Sequence, residues 1–358
     1  MSVVCLAVFW CQVAAFDEIS CEVAEKYDNG FDINYDVDID YDIVSRPESF
    51  NTHYVCNLNT NSSILIAETK LTNENNENVT QFLGNDIKKL EYLPIDIVDS
   101  FPKVTHISFS ETSLKSISKK NFHGLRNLEI LSLSYNQISS IDEDTFDDLS
   151  DLFSIDLDHN KLTSLPPKVF SKLSTLNGLH LEDNQLTALD AGIFKNNHEL
   201  AFLVLNGNKL TTLSPGIFDS LTQMRQLLFH ENEINSLDAD LFKNCISLDY
   251  LSGSDNKITE IPLNLFTPLT SLSTILFSNN PLNGVIDFKM FENNKEINFI
   301  SFDGIKFTKV LNIDVVDKLP ELRRVQFRIN NESCIIGNYH EGILDKLKNE
   351  VKTYCKME

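Results

Sequence analysis

Four aspartates alternate with other residues in the run Asp36-Val37-Asp38-Ile39-Asp40-Tyr41-Asp42, and carboxylates at that density are the first place to look for a bound cation. A helix-loop-helix calcium site needs Gly at its sixth position and Glu at its twelfth, because the loop turns sharply and closes on a bidentate carboxylate. Neither is present, and Pro47 stands at the twelfth. The longer run from Phe31 to Ile43 alternates apolar and mostly acidic residues without a break, the pattern of a strand with one apolar face and one acidic face in solvent. A strand also holds alternate carboxylates about 7 Å apart, which suits an edge strand better than an ion cage. Two histidines, His180 and His230, fall near Asp156, Asp158, Glu182, Asp183 and Glu231. Zinc needs three or four converging ligands, and these histidines belong to different repeats and to different positions within them, so no metal site is expected. The chain has no GxSxG elbow, no HExxH helix, no phosphate-binding glycine loop and no Cys-His pair outside a core position. No catalytic residue and no cofactor are assigned; the chemistry expected is recognition, not turnover.

What positions these side chains is a repeat. Asparagines stand at Asn136, Asn160, Asn184, Asn208, Asn232, Asn256 and Asn280, each 24 residues after the last. Around each runs the frame LxxLxLxxNxLxxLxxxxFxxL, as in Leu128-Glu129-Ile130-Leu131-Ser132-Leu133-Ser134-Tyr135-Asn136, restarting at Leu152, Leu176, Leu200, Met224, Leu248 and Leu272. The LxL core alternates with period two, making a short strand whose leucines point inward. Asn then turns the chain, its amide bonding backbone groups that the turn leaves unpaired, so the amides stack as a ladder from coil to coil. A second column, Phe122, Phe146, Phe170, Phe194, Phe218, Phe242 and Phe266, keeps the same spacing of 24 and fills the opposite, convex side, where a turn or 3₁₀ segment replaces the strand. No single coil can bury its own leucines, so stability comes from stacking and the two ends need covers. Outward, the frame weakens to a repeat from Val104 with Thr112 in place of Asn. At the far end it loosens to units of 25 residues from Leu272 and Ile297, the latter with Ile305 at the turn, before a last strand from Leu322. About ten coils are expected.

On these residues the chain resembles the leucine-rich repeats of extracellular proteins such as Toll-type ectodomains and small leucine-rich matrix proteins, and it is most similar to soluble secreted repeat proteins of insects. The resemblance implies an α/β repeat fold, a curved leucine-rich-repeat solenoid or horseshoe with a parallel sheet on its concave face. Toll- and Slit-like caps carry four-cysteine clusters and mosquito complement-like members add a coiled-coil tail. This chain has two cysteines per end and no such tail, so a role in immunity is analogy.

Two columns have informative exceptions. Cys245 takes the slot of Leu125, Leu149, Leu173, Leu221 and Leu269, and reads as a small buried filler and not as a reactive thiol. In the second leucine of LxL, Gly253 falls between Phe229 and Phe277, whose rings are expected to close over the gap.

The face offered to a partner follows from the frame. The fifth and seventh positions face outward from the strand, giving Asp156 and Asp158, His180 and Glu182, Val204 and Asn206, Leu228 and His230 in successive coils. An acidic region of Asp156, Asp158, Glu182, Asp183 and Glu231 is expected beside an apolar one of Phe202, Val204, Leu228, Tyr250 and Leu276, with His180 and His230 near the carboxylates. Apolar groups at solvent-facing positions across four coils mark an interface.

The remaining signals concern compartment. Residues 1–15, MSVVCLAVFWCQVAA, are uncharged, apolar and end in small residues, as a secretory signal does. Residues 16–78 then read as an N-terminal cap, 79–321 as repeats and 322–358 as a C-terminal cap, with a helix expected from His340 to Thr353. Cys21 with Cys56 and Cys334 with Cys355 are the natural local disulfides of an oxidising compartment, although four cysteines formally permit three connectivities. Sequons at Asn61, Asn78 and Asn331 would be glycosylated. The net charge of −22 disfavours nucleic acid and anionic membrane and favours a basic surface. The expected protein is secreted and extracellular, not an enzyme, and binds an extracellular protein. A structural matrix protein and a repeat-type inhibitor of a basic enzyme are the alternatives.

Overall fold

A computed structural model of the chain describes residues 20–27, 52–59, 79–85, 90–95, 97–282, 284–329 and 332–337. The acidic run 31–43, the helix expected over 340–353, the signal at 1–15, Asn61, Asn78 and Asn331 all lie outside these residues, as do the side chains of Cys21, Cys56, Cys334 and Cys355.

In chain order the strands are β1 (Ser20–Tyr27), β2 (Thr52–Asn59), β3 (Gln81–Leu83), β4 (His106–Ser108), β5 (Ile130–Ser132), β6 (Ser154–Asp156), β7 (Gly178–His180) and β8 (Phe202–Val204), those from β3 on recurring every 24 to 25 residues. They continue as β9 (Gln226–Leu228), β10 (Tyr250–Ser252), β11 (Thr274–Leu276), β12 (Val285–Asp287), β13 (Phe299–Phe307), β14 (Lys309–Leu311), β15 (Arg324–Ile329) and β16 (Glu332–Gly337). All but β12 and β14 form one sheet of 14 strands in chain order, and β12 pairs with β14 as a second small sheet. Pairing is parallel from β2 through β15, with identical frame positions in register, while β1 on β2 and β15 on β16 are antiparallel. Each end of the array is therefore closed by a reversal of chain direction. The architecture is a parallel-strand solenoid of about ten coils with little helix, as the period of 24 requires.

The two predicted columns hold the stack together. Asn208 Oδ1 accepts from Leu186 N at 3.0 Å, and its Nδ2 donates to the carbonyls of Leu181, Leu205 and Asn206 at 2.9, 3.0 and 3.3 Å. The same pattern repeats at Asn160, Asn184, Asn232 and Asn256. At the weak coil Thr112 Oγ1 donates to Asn136 Oδ1, so the hydroxyl continues the ladder. On the convex side the phenylalanines are fully buried, and Phe146, Phe170 and Phe194 stack at 6.3 Å with planes 8° and 12° apart. Cys245 is buried there with its thiol free, its Sγ lies 3.9 Å from Phe218 O, and burial pushes it up to about 12, so thiolate chemistry is suppressed.

The glycine gap is filled as expected. A Cβ on Gly253 would lie 2.6 Å from Phe229 Cε2 and Cζ and 3.1 Å from Phe277 Cζ, and those two rings meet edge to face at 6.0 Å. Gly84 repeats the device against Phe109. Restoring leucine at Gly253 is expected to destabilise the fold by about 1–3 kcal/mol through overpacking. Thermal unfolding checks this, and a variant that melts above the parent would show the slot to be empty.

Candidate functional site

Because equal positions pair across strands, the inner face reads as columns. The third position carries Ser154, Gly178, Phe202, Gln226, Tyr250, Thr274 and Phe299, and the fifth carries Asp156, His180, Val204, Leu228, Ser252, Leu276 and Ser301. The seventh carries Ser134, Asp158, Glu182, Asn206, His230 and Ser254. One step on, before the ladder asparagine, every coil from Glu111 to Gly304 turns through left-handed backbone: Glu111, Tyr135, His159, Asp183, Gly207, Glu231, Asp255 and Asn279 have φ between 48° and 64°. Left-handed backbone costs a non-glycine residue about 1 kcal/mol, which the ladder hydrogen bonds offset.

The structure corrects part of the expected surface. Val204 and Leu228 are each only 3% exposed, and Asp158 and Glu182 are 0% and 8% exposed. Side chains on the inner side of a curved sheet converge, so a branched or short group flanked by its equals is covered by them. Phe202, Tyr250 and Leu276 keep partial exposure, as do Asp156, His180 and His230, whereas Asp183 and Glu231 are open to solvent. Phe299 joins the aromatic column, with the Arg324 guanidinium 5.6 Å from its ring centre. His180 and His230 stand two coils apart, in the fifth and seventh columns, and do not converge.

The electrostatic centre lies around Asp158. Burial, then the hydrogen bond and charge of Asp156, then Glu182 and Asp183 push its carboxyl up to about 10, so it holds a proton at neutral pH. Its Oδ2 lies 2.6 Å from Nδ1 of His159, whose Nε2 reaches Asp183 Oδ2 at 3.3 Å. The His159 ring also stacks on Tyr135, centroids 4.0 Å apart and planes 14° apart. Ser132 Oγ donates to Asp156 Oδ2 at 3.1 Å. For His180, burial lowers the pKa, but the hydrogen bond and charge of Glu182, together with Asp156, outweigh it and leave it raised. For His230 burial wins over Glu231 and Asp255, and the pKa falls. The residues missed by sequence reasoning are Tyr135 and His159. Their signal was the eighth frame position, which is bulky and planar in two consecutive coils.

The family described as leucine rich repeat matches residues 86–138, 102–162, 126–186, 154–207 and 174–234. No curated protein matches the chain in sequence. Among solved structures, one of the Toll–Spatzle complex, titled a molecular hub in Drosophila development and innate immunity, is similar at 22% identity and a TM-score of 0.65, covering 76% of this chain and 35% of that one. A TLR13–ssRNA13 complex is similar at 20% identity and a TM-score of 0.62, covering 71% and 41%. A complex of Latrophilin 3, Unc5D and the leucine-rich repeats of FLRT2 is similar at 23% identity and a TM-score of 0.55, covering 65% and 68%. The chain thus spans well under half of the Toll and TLR13 chains, and at these identities the likeness shows the fold. Among the described residues, no helix is long and apolar enough to cross a membrane.

Proposed function

We propose that this leucine-rich-repeat solenoid is a secreted binding module that recognises an extracellular protein with a basic surface through its inner face. One observation carries the reading: partly exposed Phe202, Tyr250 and Leu276, with Asp156, Asp183 and Glu231, occupy inner-face and adjoining turn positions of consecutive coils. An aromatic centre with an acidic flank suits a cationic protein, the aromatic rings anchoring and the charges steering. The solved relatives are complexes, with Spatzle, with single-stranded RNA, and with Latrophilin 3 and Unc5D. A net charge of −22 weighs against a polyanionic partner such as RNA. The domain order proposed is a signal at 1–15, a cap at 16–78, repeats at 79–321 and a second cap at 322–358, with disulfides Cys21–Cys56 and Cys334–Cys355 and glycans at Asn61, Asn78 and Asn331.

Affinity capture from the extracellular fluid of the source organism, followed by titration of the captured protein, tests the reading. Changing Phe202 and Tyr250 together to Ala is expected to weaken binding by about 2–4 kcal/mol with little loss of melting temperature, because both rings are partly exposed. Val204 and Leu228 are unsuitable probes, since each is only 3% exposed under its neighbours on the inner face. Asp183→Lys with Glu231→Lys should slow association and flatten its salt dependence. Normal binding by the Phe202/Tyr250 variant would move the site off the inner face.

A further inference from the structure

Two buried carboxylate oxygens on the inner face have no hydrogen-bond partner: Asp158 Oδ1 and Glu182 Oε2. They belong to the same column in consecutive coils, His159 N donating to Glu182 O at 3.0 Å. The two acceptors stand side by side in consecutive coils, so one donor-bearing cation would serve both. The wall of this spot is planar. The His159 ring stacks on Tyr135 and offers one nitrogen to Asp158 and the other to Asp183. It stands where a flat cation with N–H groups on several edges would stand, and a guanidinium carries five such N–H groups in one plane.

We propose that Asp156, Asp158, Glu182 and Asp183, beside the Tyr135 ring, form a subsite for one arginine side chain of the protein partner, the guanidinium taking the place that the His159 ring fills in the free chain. The subsite rests on the inner-face reading above and names the group that the acidic flank receives. Asp183, its side chain 43% exposed, meets the guanidinium at the entrance. Its carboxylate lies across Gly207, where a Cβ would overlap it. Asp158 is fully covered, and the His159 ring, 38% exposed, turns aside to let the guanidinium reach it and Glu182. Lysine fits less well, because a tetrahedral ammonium neither stacks flat nor bridges two carboxylates in one plane. The proton that Asp158 holds in the free chain becomes unnecessary once a permanent cation sits beside it. The carboxyl O–H bond breaks, the proton goes to solvent, and the carboxylate pairs with the guanidinium.

The test is calorimetric titration of the full chain at pH 7 with Nα-acetyl-arginine amide, against Nα-acetyl-citrulline amide as the neutral isostere, in two buffers of different ionisation heat. The expected result is saturable binding of the arginine compound with net proton release and no saturable binding of citrulline. Asp158→Asn and Asp183→Asn should each weaken it by about tenfold or more. Asp183 is open to solvent, so its variant tests the subsite without endangering the fold. Equal binding of the two compounds, arginine binding without proton release, or full binding by both variants would overturn the subsite. If the arginine compound fails while the Phe202/Tyr250 variant still loses the captured protein, the subsite falls and the inner-face reading stands.

Discussion

Replacing Asn208 by alanine is expected to cost the solenoid roughly 3–5 kcal/mol, among the largest effects a single substitution can have here. One amide serves four backbone groups in two consecutive coils: Leu186 N, and the carbonyls of Leu181, Leu205 and Asn206. Removing the amide leaves buried Leu186 N without its acceptor and takes one of two donors from each carbonyl, which keep Asn184 Nδ2, Asn232 Nδ2 and Asp183 N respectively. Asn208→Asp separates the two halves of the argument. The carboxylate keeps an acceptor for Leu186 N but turns its other oxygen on the carbonyls that Nδ2 used to serve. At neutral pH this variant should be at least as unstable as the alanine one, and it should recover as acid protonates the carboxyl. Guanidinium unfolding of both variants at pH 7 and pH 4 checks it; an alanine variant within experimental error of the parent would show that the ladder is decoration on a fold held by leucine and phenylalanine alone.

Asp158→Asn is expected to act in the opposite direction and to raise stability at pH 8 by about 1–3 kcal/mol. The sign follows from proton linkage. In the folded chain the carboxyl is pushed up to about 10, whereas in the unfolded chain it titrates near its ordinary value of 3.8. Between those two values the folded state holds a proton that the unfolded state has lost, so the stability of the parent falls as pH rises through this window. Asparagine does not titrate, keeps the shape, and can offer an N–H to His159 Nδ1. The two proteins should therefore converge in stability near pH 4 and diverge steadily above it. Melting curves from pH 4 to pH 9 decide the matter, and parallel profiles would mean that Asp158 is ionised throughout and paired. A carboxylate kept at the expense of stability is what a binding group looks like, and the same substitution that stabilises the chain is one expected to weaken arginine recognition.

What could be read from the chain alone is what nearest-neighbour stacking dictates. A coil contacts only its neighbours, so a period of 24 in Asn and Phe settles parallel strands in register, the amide ladder and the ring column. It also settles single-slot exceptions such as Cys245 and Gly253, because the same slot in the coils on either side says what volume is available. Exposure on the inner face was beyond it. A side chain there is covered or open according to the curvature of the sheet and the rotamers of its flanking columns. Period-two alternation therefore assigns Val204, Leu228 and Asp158 to the inner face but does not say that neighbours close over them. The Tyr135–His159 stack and the bridge from Asp158 to Asp183 were likewise decided in three dimensions. They exist because left-handed backbone at the eighth position aims each of these side chains at the next coil, and only the assembled coils bring a planar ring between two carboxylates.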